Sequence, residues 1–188
     1  MRSATAATFA LVLLLAGVGL VTAADNQPDN FDPNKEIDSR IRRGFQIAPV
    51  KLNLRGLNPA LVGLGSYIVN AQGGCNDCHT APPYAPGGDP FMGQPEQINA
   101  ARYLAGGTEF GPFISRNLTP RANGLPANLT FEQFRDSMRH GTDFKNRHPE
   151  ISPLLQVMPW PVYGKMSSLD LRAIYEFLRA IPGLPSQP

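Results

Sequence analysis

Only two cysteines and one tryptophan occur in 188 residues, and charged side chains make up just 17% of the chain. Two cysteines are too few for the multi-bridge framework of a small secreted scaffold. Neither sign of charge dominates, since 17 Lys and Arg stand against 15 Asp and Glu for a formal +2. The basic excess of a nucleic-acid surface is missing. Long apolar runs are equally scarce. The one uncharged apolar stretch, Phe9 to Val21, falls short of the ~20 residues that cross a bilayer comfortably. At this length a large multidomain enzyme is excluded.

What flanks that stretch gives it a meaning. Met1-Arg2 is a positive start and Thr22-Ala23-Ala24 offers small residues to a signal peptidase, so residues 1–24 read as a secretory signal. The expected destination is the periplasm, with membrane anchoring if the signal stays uncleaved. There the two cysteines would meet an oxidising environment. Residues 25–56 read as an N-terminal extension without helical periodicity, holding Pro28, Pro33 and Pro49 and a small basic cluster of Arg40, Arg42 and Arg43. Phe45, Ile47 and Val50 are expected to touch the domain surface. Residues 57–182 form the expected domain, and 183–188 a C-terminal tail.

Three helices are legible. Asn58-Pro59 pairs an N-cap with Pro at the first helical position, and Leu61, Leu64 and Ile68 recur at helical spacing until Gly73-Gly74. Thr130 and Gln133 stand in capping-box positions before a helix with Phe131, Phe134 and Met138 on one side, ended by Gly141. Ser167 and Asp170 cap the last helix, whose Leu171, Ile174, Tyr175 and Leu178 form an apolar stripe. No β alternation of useful length is visible, so the fold class is all-α. Between Thr80 and Asn128 lies a stretch dense in Gly, Pro and Asn, too long for a purposeless loop. It offers a surface that selects a partner.

The chemistry centres on Cys75-Asn76-Asp77-Cys78-His79, a Cys-x-x-Cys-His run, which is the attachment pattern of a c-type haem. Two thiols at this spacing can reach both vinyl groups along one porphyrin edge as thioethers, and the following imidazole can meet the iron. Three other readings compete with it. A structural zinc needs four ligands, but there is no second Cys pair, and His140 and His148 have seven residues between them where a zinc finger has ~3–5. A thioredoxin-like redox pair expects a βαβ context. A plain Cys75–Cys78 disulfide in a haemless domain is the third.

With His79 on one side of the iron, the sixth ligand must come from downstream. Met92, Met138, Met158, Met166, His140 and His148 are the candidates. Met138 sits on an apolar helix face, Met166 stands where a hydrophobic staple to the last helix belongs, and Met92 lies in the Gly/Pro stretch. Met158, in Val157-Met158-Pro159-Trp160-Pro161, is held extended by the proline after it, and Pro161 stiffens the strap. His140 and His148 stay open as alternatives.

These residues bring the chain to a family. It resembles monohaem class I cytochromes c, and more narrowly the exported bacterial group with a Met-Pro-Trp-Pro segment that also occurs in haem domains of dehydrogenase cytochrome subunits. The resemblance runs from about Gly56 to Pro182 through Gly63-Leu64-Gly65-Ser66-Tyr67, Cys75–His79, Ser115–Pro120, Met158–Pro161 and Asp170–Tyr175. It implies the cytochrome c fold around one haem c, with Cys75 and Cys78 as thioethers and His79 and Met158 as axial ligands. It also implies close helix approach at Gly65, with Tyr67 and Tyr175 around the crossing, and a crevice bordered by the Asn117 segment. Related sequences often carry an acid after Thr-Pro, where this chain has Arg121.

A His/Met iron offers no open position to a substrate, and no acid, base or nucleophile constellation is evident; Asp143 and Glu150 read as solvated loop residues. The leading expectation is therefore a non-catalytic electron carrier or electron-transfer subunit. Its partners would be a redox donor and acceptor, such as a dehydrogenase or a terminal oxidase. The alternative is a haem enzyme or gas sensor with a displaceable sixth ligand.

Overall fold

Asp32 accepts a hydrogen bond at Oδ1 from the Asn34 amide (3.0 Å). With Pro33 at the first helical position it starts α1, Pro33–Ile47. The computed structural model describes residues 32–144 and 152–186, and from Asp32 onward the chain packs as one unit. The expected signal lies outside the described residues.

This first helix corrects the reading of residues 25–56 as a stretch without helical periodicity. Ile37, Ile41 and Phe45 do recur at helical spacing, but the centre of the buried face is Gly44, which contributes a missing side chain rather than apolar area. A Cβ on Gly44 would collide with the carbonyl of Gly63, and one on Gly63 would meet Ile41 and Phe45. The two backbones therefore touch. Ser66 donates its hydroxyl to the Gly44 carbonyl (2.7 Å), tying α1 to the next helix.

That helix, α2, spans Pro59–Tyr67 under the Asn58 cap, as its sequence signals foretell. The final turns differ from a plain helix: Ile68–Gln72 widens into a π turn, closed by Gly73 N–H donating to the Ile68 carbonyl (2.7 Å). A one-turn helix, α3, then holds Cys75–His79. Gly65 on α2 lies so close to Ala173 that a Cβ would collide with its carbonyl, the close approach that the resemblance implied. Tyr67 receives the Arg40 guanidinium of α1 over its ring at 5.7 Å.

The partner of α2 is the last helix, α6, Ser168–Ala180, with the capping box between Ser167 and Asp170 in place. Val62, Leu171 and Phe177 are fully buried in the shared core, and each such side chain contributes ~1.5–3 kcal/mol through area removed from water. Between them in sequence stand α4, Phe131–His140, with the Thr130/Gln133 capping box and Gly141 left-handed at its end, and α5, Trp160–Tyr163. Helices dominate the described residues. One hairpin departs from an all-α fold, pairing β1 (Glu109–Phe110) with β2 (Phe113–Ile114).

The Gly/Pro-rich stretch is anchored. Tyr103, Leu104 and Ala105 are buried in the core, the Tyr103 hydroxyl donates to Asn70 Oδ1 (2.5 Å), and Leu104 N–H donates to Thr80 Oγ1 (2.9 Å). Arg121 donates to the carbonyl of Leu184 (3.0 Å), so the residue at the departed position pins the C-terminal tail. Asn117 and Thr119 join that clasp: Asn117 Nδ2 donates to the Leu184 carbonyl (2.8 Å), and Leu184 N–H donates to Thr119 Oγ1 (2.9 Å).

Candidate haem crevice

Gly73 and Gly74 turn the chain out of the π segment, with Gly74 left-handed at φ +58°, a conformation glycine adopts at no steric cost. The Cys75–His79 turn that follows faces a cavity of about 210 Å³, predominantly apolar. Ile68 and Val69 from the π turn, Leu118, Phe134 and Ile174 supply much of its wall. Cys75, Cys78 and His79 line it together with Met158. Residues far apart in sequence thus share one crevice.

His79 is half-buried, and its Nδ1 lies 2.7 Å from the backbone carbonyl of Arg116. A carbonyl only accepts, so Nδ1 carries the proton and donates. Burial, the largest cause, lowers the imidazole pKa, with the Arg116 charge adding to it against the opposing hydrogen bond. The ring is therefore held neutral with an unprotonated Nε2, the form that binds a metal. Arg116 in turn pairs its guanidinium with Asp143 at 2.6 Å. Asp143, read from sequence as a solvated loop residue, is largely buried with this partner, and both line the crevice.

The two thiols are not joined to each other; Cys75 is half-buried and Cys78 exposed. Burial, then the Cys78 charge, pushes the Cys75 thiol up to about 12. The Cys78 thiol is also raised, again chiefly by desolvation. Tyr163 lines the crevice and donates its hydroxyl to the Gly73 carbonyl (2.8 Å), bracing the entry to α3 from α5.

Of the candidate sixth ligands, Met158, Met138 and Met166 all line the crevice. Met138 is also buried in the core, while Met92 is 74% exposed. His140 lies outside the lining, 4.0 Å from Asp136 on an exposed helix turn, and His148 and Glu150 lie outside the described residues. The convergence of three methionines was not legible in the sequence, where Met138 and Met166 each have an ordinary packing explanation. Nor was Tyr163 singled out. Its place two residues after the Met-Pro-Trp-Pro strap was the available signal.

Trp160 stands behind the strap. Its Nε1 donates to the Leu155 carbonyl (3.2 Å), and its ring covers Gly141 so closely that a Cβ there would collide with the indole. The strap and the end of α4 are thereby locked together.

Two cysteines in the lining, a neutral imidazole with an unprotonated nitrogen, and thioethers in the same apolar cavity fit a haem c group. Among the described residues no helix is long and apolar enough to cross a membrane. No protein-family model and no solved structure matches the chain. Curated proteins do. The gluconate 2-dehydrogenase cytochrome c subunit of Pantoea cypripedii is 32% identical over 120 residues, covering 64% of this chain and 23% of that protein. The alcohol dehydrogenase (quinone) cytochrome c subunit of Gluconobacter oxydans is 30% identical over 122 residues, 63% of this chain and 21% of the relative. The fructose dehydrogenase cytochrome subunit of Gluconobacter japonicus is 26% identical over 117 residues, with 62% and 20% covered. The chain spans between a fifth and a quarter of the length of these relatives. Homology over this length relates it to the cytochrome c subunits of sugar and alcohol dehydrogenases.

Proposed function

We propose that the protein is a one-electron carrier, or an electron-transfer subunit of a respiratory or dehydrogenase complex, exported to the periplasm and built on the cytochrome c fold. Cys75 and Cys78 would hold haem c through thioethers, and His79 and Met158 would be its axial ligands. The observation that carries this reading is the shared crevice: Cys75, Cys78 and His79 line one apolar cavity with Met158 and Pro159 of the strap. The bound group would supply one-electron iron chemistry, which thioether and imidazole donors in a low-dielectric crevice would bias toward the ferrous state.

The chain's own residues do the positioning. The Arg116 carbonyl orients His79 and fixes its tautomer, Tyr163 braces Gly73, and Pro159 and Trp160 stiffen the strap. Apolar walls exclude water from the imidazole and thioether. No step here needs a proton donor or acceptor, which supports a carrier over the alternative of a haem enzyme or gas sensor. Similarity to dehydrogenase cytochrome subunits favours the same side.

The test is the absorption spectrum of the protein expressed with a haem-attachment system. The wild type is expected to show low-spin haem with the far-red thioether-to-ferric-iron band. Met158→Ala should lose that band, while Met138→Leu and Met166→Leu keep it. A band that survives Met158→Ala assigns the ligand to one of the other two methionines. A high-spin wild type that shifts with carbon monoxide moves the function to the enzyme or sensor class.

A further inference from the structure

From Gly56 to Ala101 there is no lysine or arginine, and the only carboxylates are Asp77, Asp89 and Glu96, in a chain whose formal charge is +2. Folding gathers these three about Tyr84. The Tyr84 hydroxyl donates to Asp77 Oδ1 (3.4 Å). Partial burial and then the charges of Asp77, Glu96 and Asp89 hold its phenol above the ordinary range. Arg102, at the border, donates to the Ala81 carbonyl (3.4 Å).

Above this rim stands an apolar tip. Phe91 is 84% and Met92 74% exposed, and the Phe91 ring meets Tyr84 edge-on at 6.3 Å. Such neighbours in a loose loop would need no explanation, but this loop is built. Ala85 N–H donates to the Gln97 carbonyl and Gln97 N–H to the Gly88 carbonyl, both at 2.9 Å. Asp89 Oδ1 accepts from Phe91 N–H (2.9 Å), and Gln94 Oε1 accepts from Asp89 N–H (2.9 Å). Close packing of Gly88 on Gln97 leaves no room for a Cβ. A braced turn therefore holds a phenylalanine and a methionine in water, and Tyr84 ties it to Asp77, the neighbour of exposed Cys78.

We infer that this tip, Phe91 and Met92 above Asp77, Asp89 and Glu96, is the docking surface for a redox protein whose own apolar spot is ringed by lysine and arginine. The inference rests on the electron-transfer reading and adds to it the chemistry of the partner. Aromatic and methionine side chains supply contact area at interfaces, and the acidic rim steers a cationic partner and raises its association rate. A second copy is a poor occupant. An isologous contact through the tip would set three carboxylates against three. Contact here brings the partner beside Cys78; one electron then passes from the ferrous protein to the ferric partner, and no proton moves.

The test uses the haem-loaded protein with mitochondrial cytochrome c, a lysine-rich one-electron protein, as the probe. Calorimetric titration and stopped-flow electron exchange are measured at rising ionic strength. Asp89→Asn with Glu96→Gln keeps the turn's side-chain acceptors and removes two charges. This variant should weaken binding about tenfold at low salt and flatten the salt dependence. Phe91→Ser with Met92→Ser should weaken binding about tenfold at every ionic strength, as loss of a central contact does. Oxidation by ferricyanide, a small anion, should proceed in both variants without the probe-specific loss.

Wild-type affinity in both variants would overturn the inference. So would an equal slowing with ferricyanide, which would place the defect at the haem, or self-association in the ultracentrifuge that Phe91→Ser with Met92→Ser abolishes. A protein without covalent haem, recognised in its spectrum before any titration, would overturn the electron-transfer reading and this inference with it.

Discussion

His79 donates its Nδ1 proton to the backbone carbonyl of Arg116, 2.7 Å away, so the orientation of the candidate iron ligand depends on where the segment before Leu118 is held. The Arg116 side chain helps to hold it, through the 2.6 Å pair with Asp143. Both members are largely buried, with side-chain exposures of 17% and 13%.

The first prediction follows from that burial. Asp143→Ala leaves the Arg116 charge without its carboxylate and should cost about 3 kcal/mol, the usual penalty for breaking a buried pair from one side. Denaturant unfolding of the haem-loaded protein measures it. Unchanged stability would mean that the pair does not anchor the segment.

A second prediction concerns the crossing of α2 and α6. Gly65→Ala drives a methyl into the Ala173 carbonyl, which is backbone and cannot rotate away. The expected loss is about 3 kcal/mol or failure to fold, at the upper end of overpacking costs. Thermal unfolding by circular dichroism decides it, and a wild-type melting temperature would show that the helices separate freely.

Gly141 offers a third test with its own optical probe. At φ +73° and covered by Trp160, it should tolerate alanine poorly on two counts, strained backbone and collision with the indole. A cost of about 2–3 kcal/mol is expected. Trp160 is the single tryptophan, so its fluorescence should shift in Gly141→Ala as the ring is displaced. An unmoved emission maximum would contradict the packing.

The fourth prediction is a pH dependence. Burial raises the Tyr103 phenol well above its ordinary range. In the unfolded chain this phenol ionises near pH ~10. Its folded value is higher, so the stability it contributes is complete below about pH 10 and is lost as pH rises toward the folded value, because only the unfolded state releases the proton. Alkaline titration followed by tyrosinate absorbance should show one tyrosine ionising with unfolding. In Tyr103→Phe that coupled step should disappear.

Local chemistry was legible because it acts within a few residues. Asn58 reaches Ala60, Thr130 reaches Gln133 and Ser167 reaches Asp170, so the cap residues announced α2, α4 and α6. The first helix carries the same kind of cap in Asp32-Pro33, but its packing face centres on Gly44, and a count of apolar side chains is blind to a residue whose contribution is having none. The exposed Phe91-Met92 tip was also invisible as such: a Gly/Pro-rich sequence does not reveal that Asp89, Gln94 and Gln97 brace it.

By itself, the sequence determined the pieces whose physics is short-ranged: the helix starts and stops, the Cys75–Cys78–His79 spacing, and the stiffened strap around Met158. Tertiary structure decided which long-range partners those pieces meet. Every residue carries a carbonyl, so nothing in the sequence marks that of Arg116 as the acceptor for His79. Likewise, a methionine packs equally well in a core or against a cavity wall, and only the folding of α4 and α6 around the crevice brings Met138 and Met166 to the same cavity as Met158.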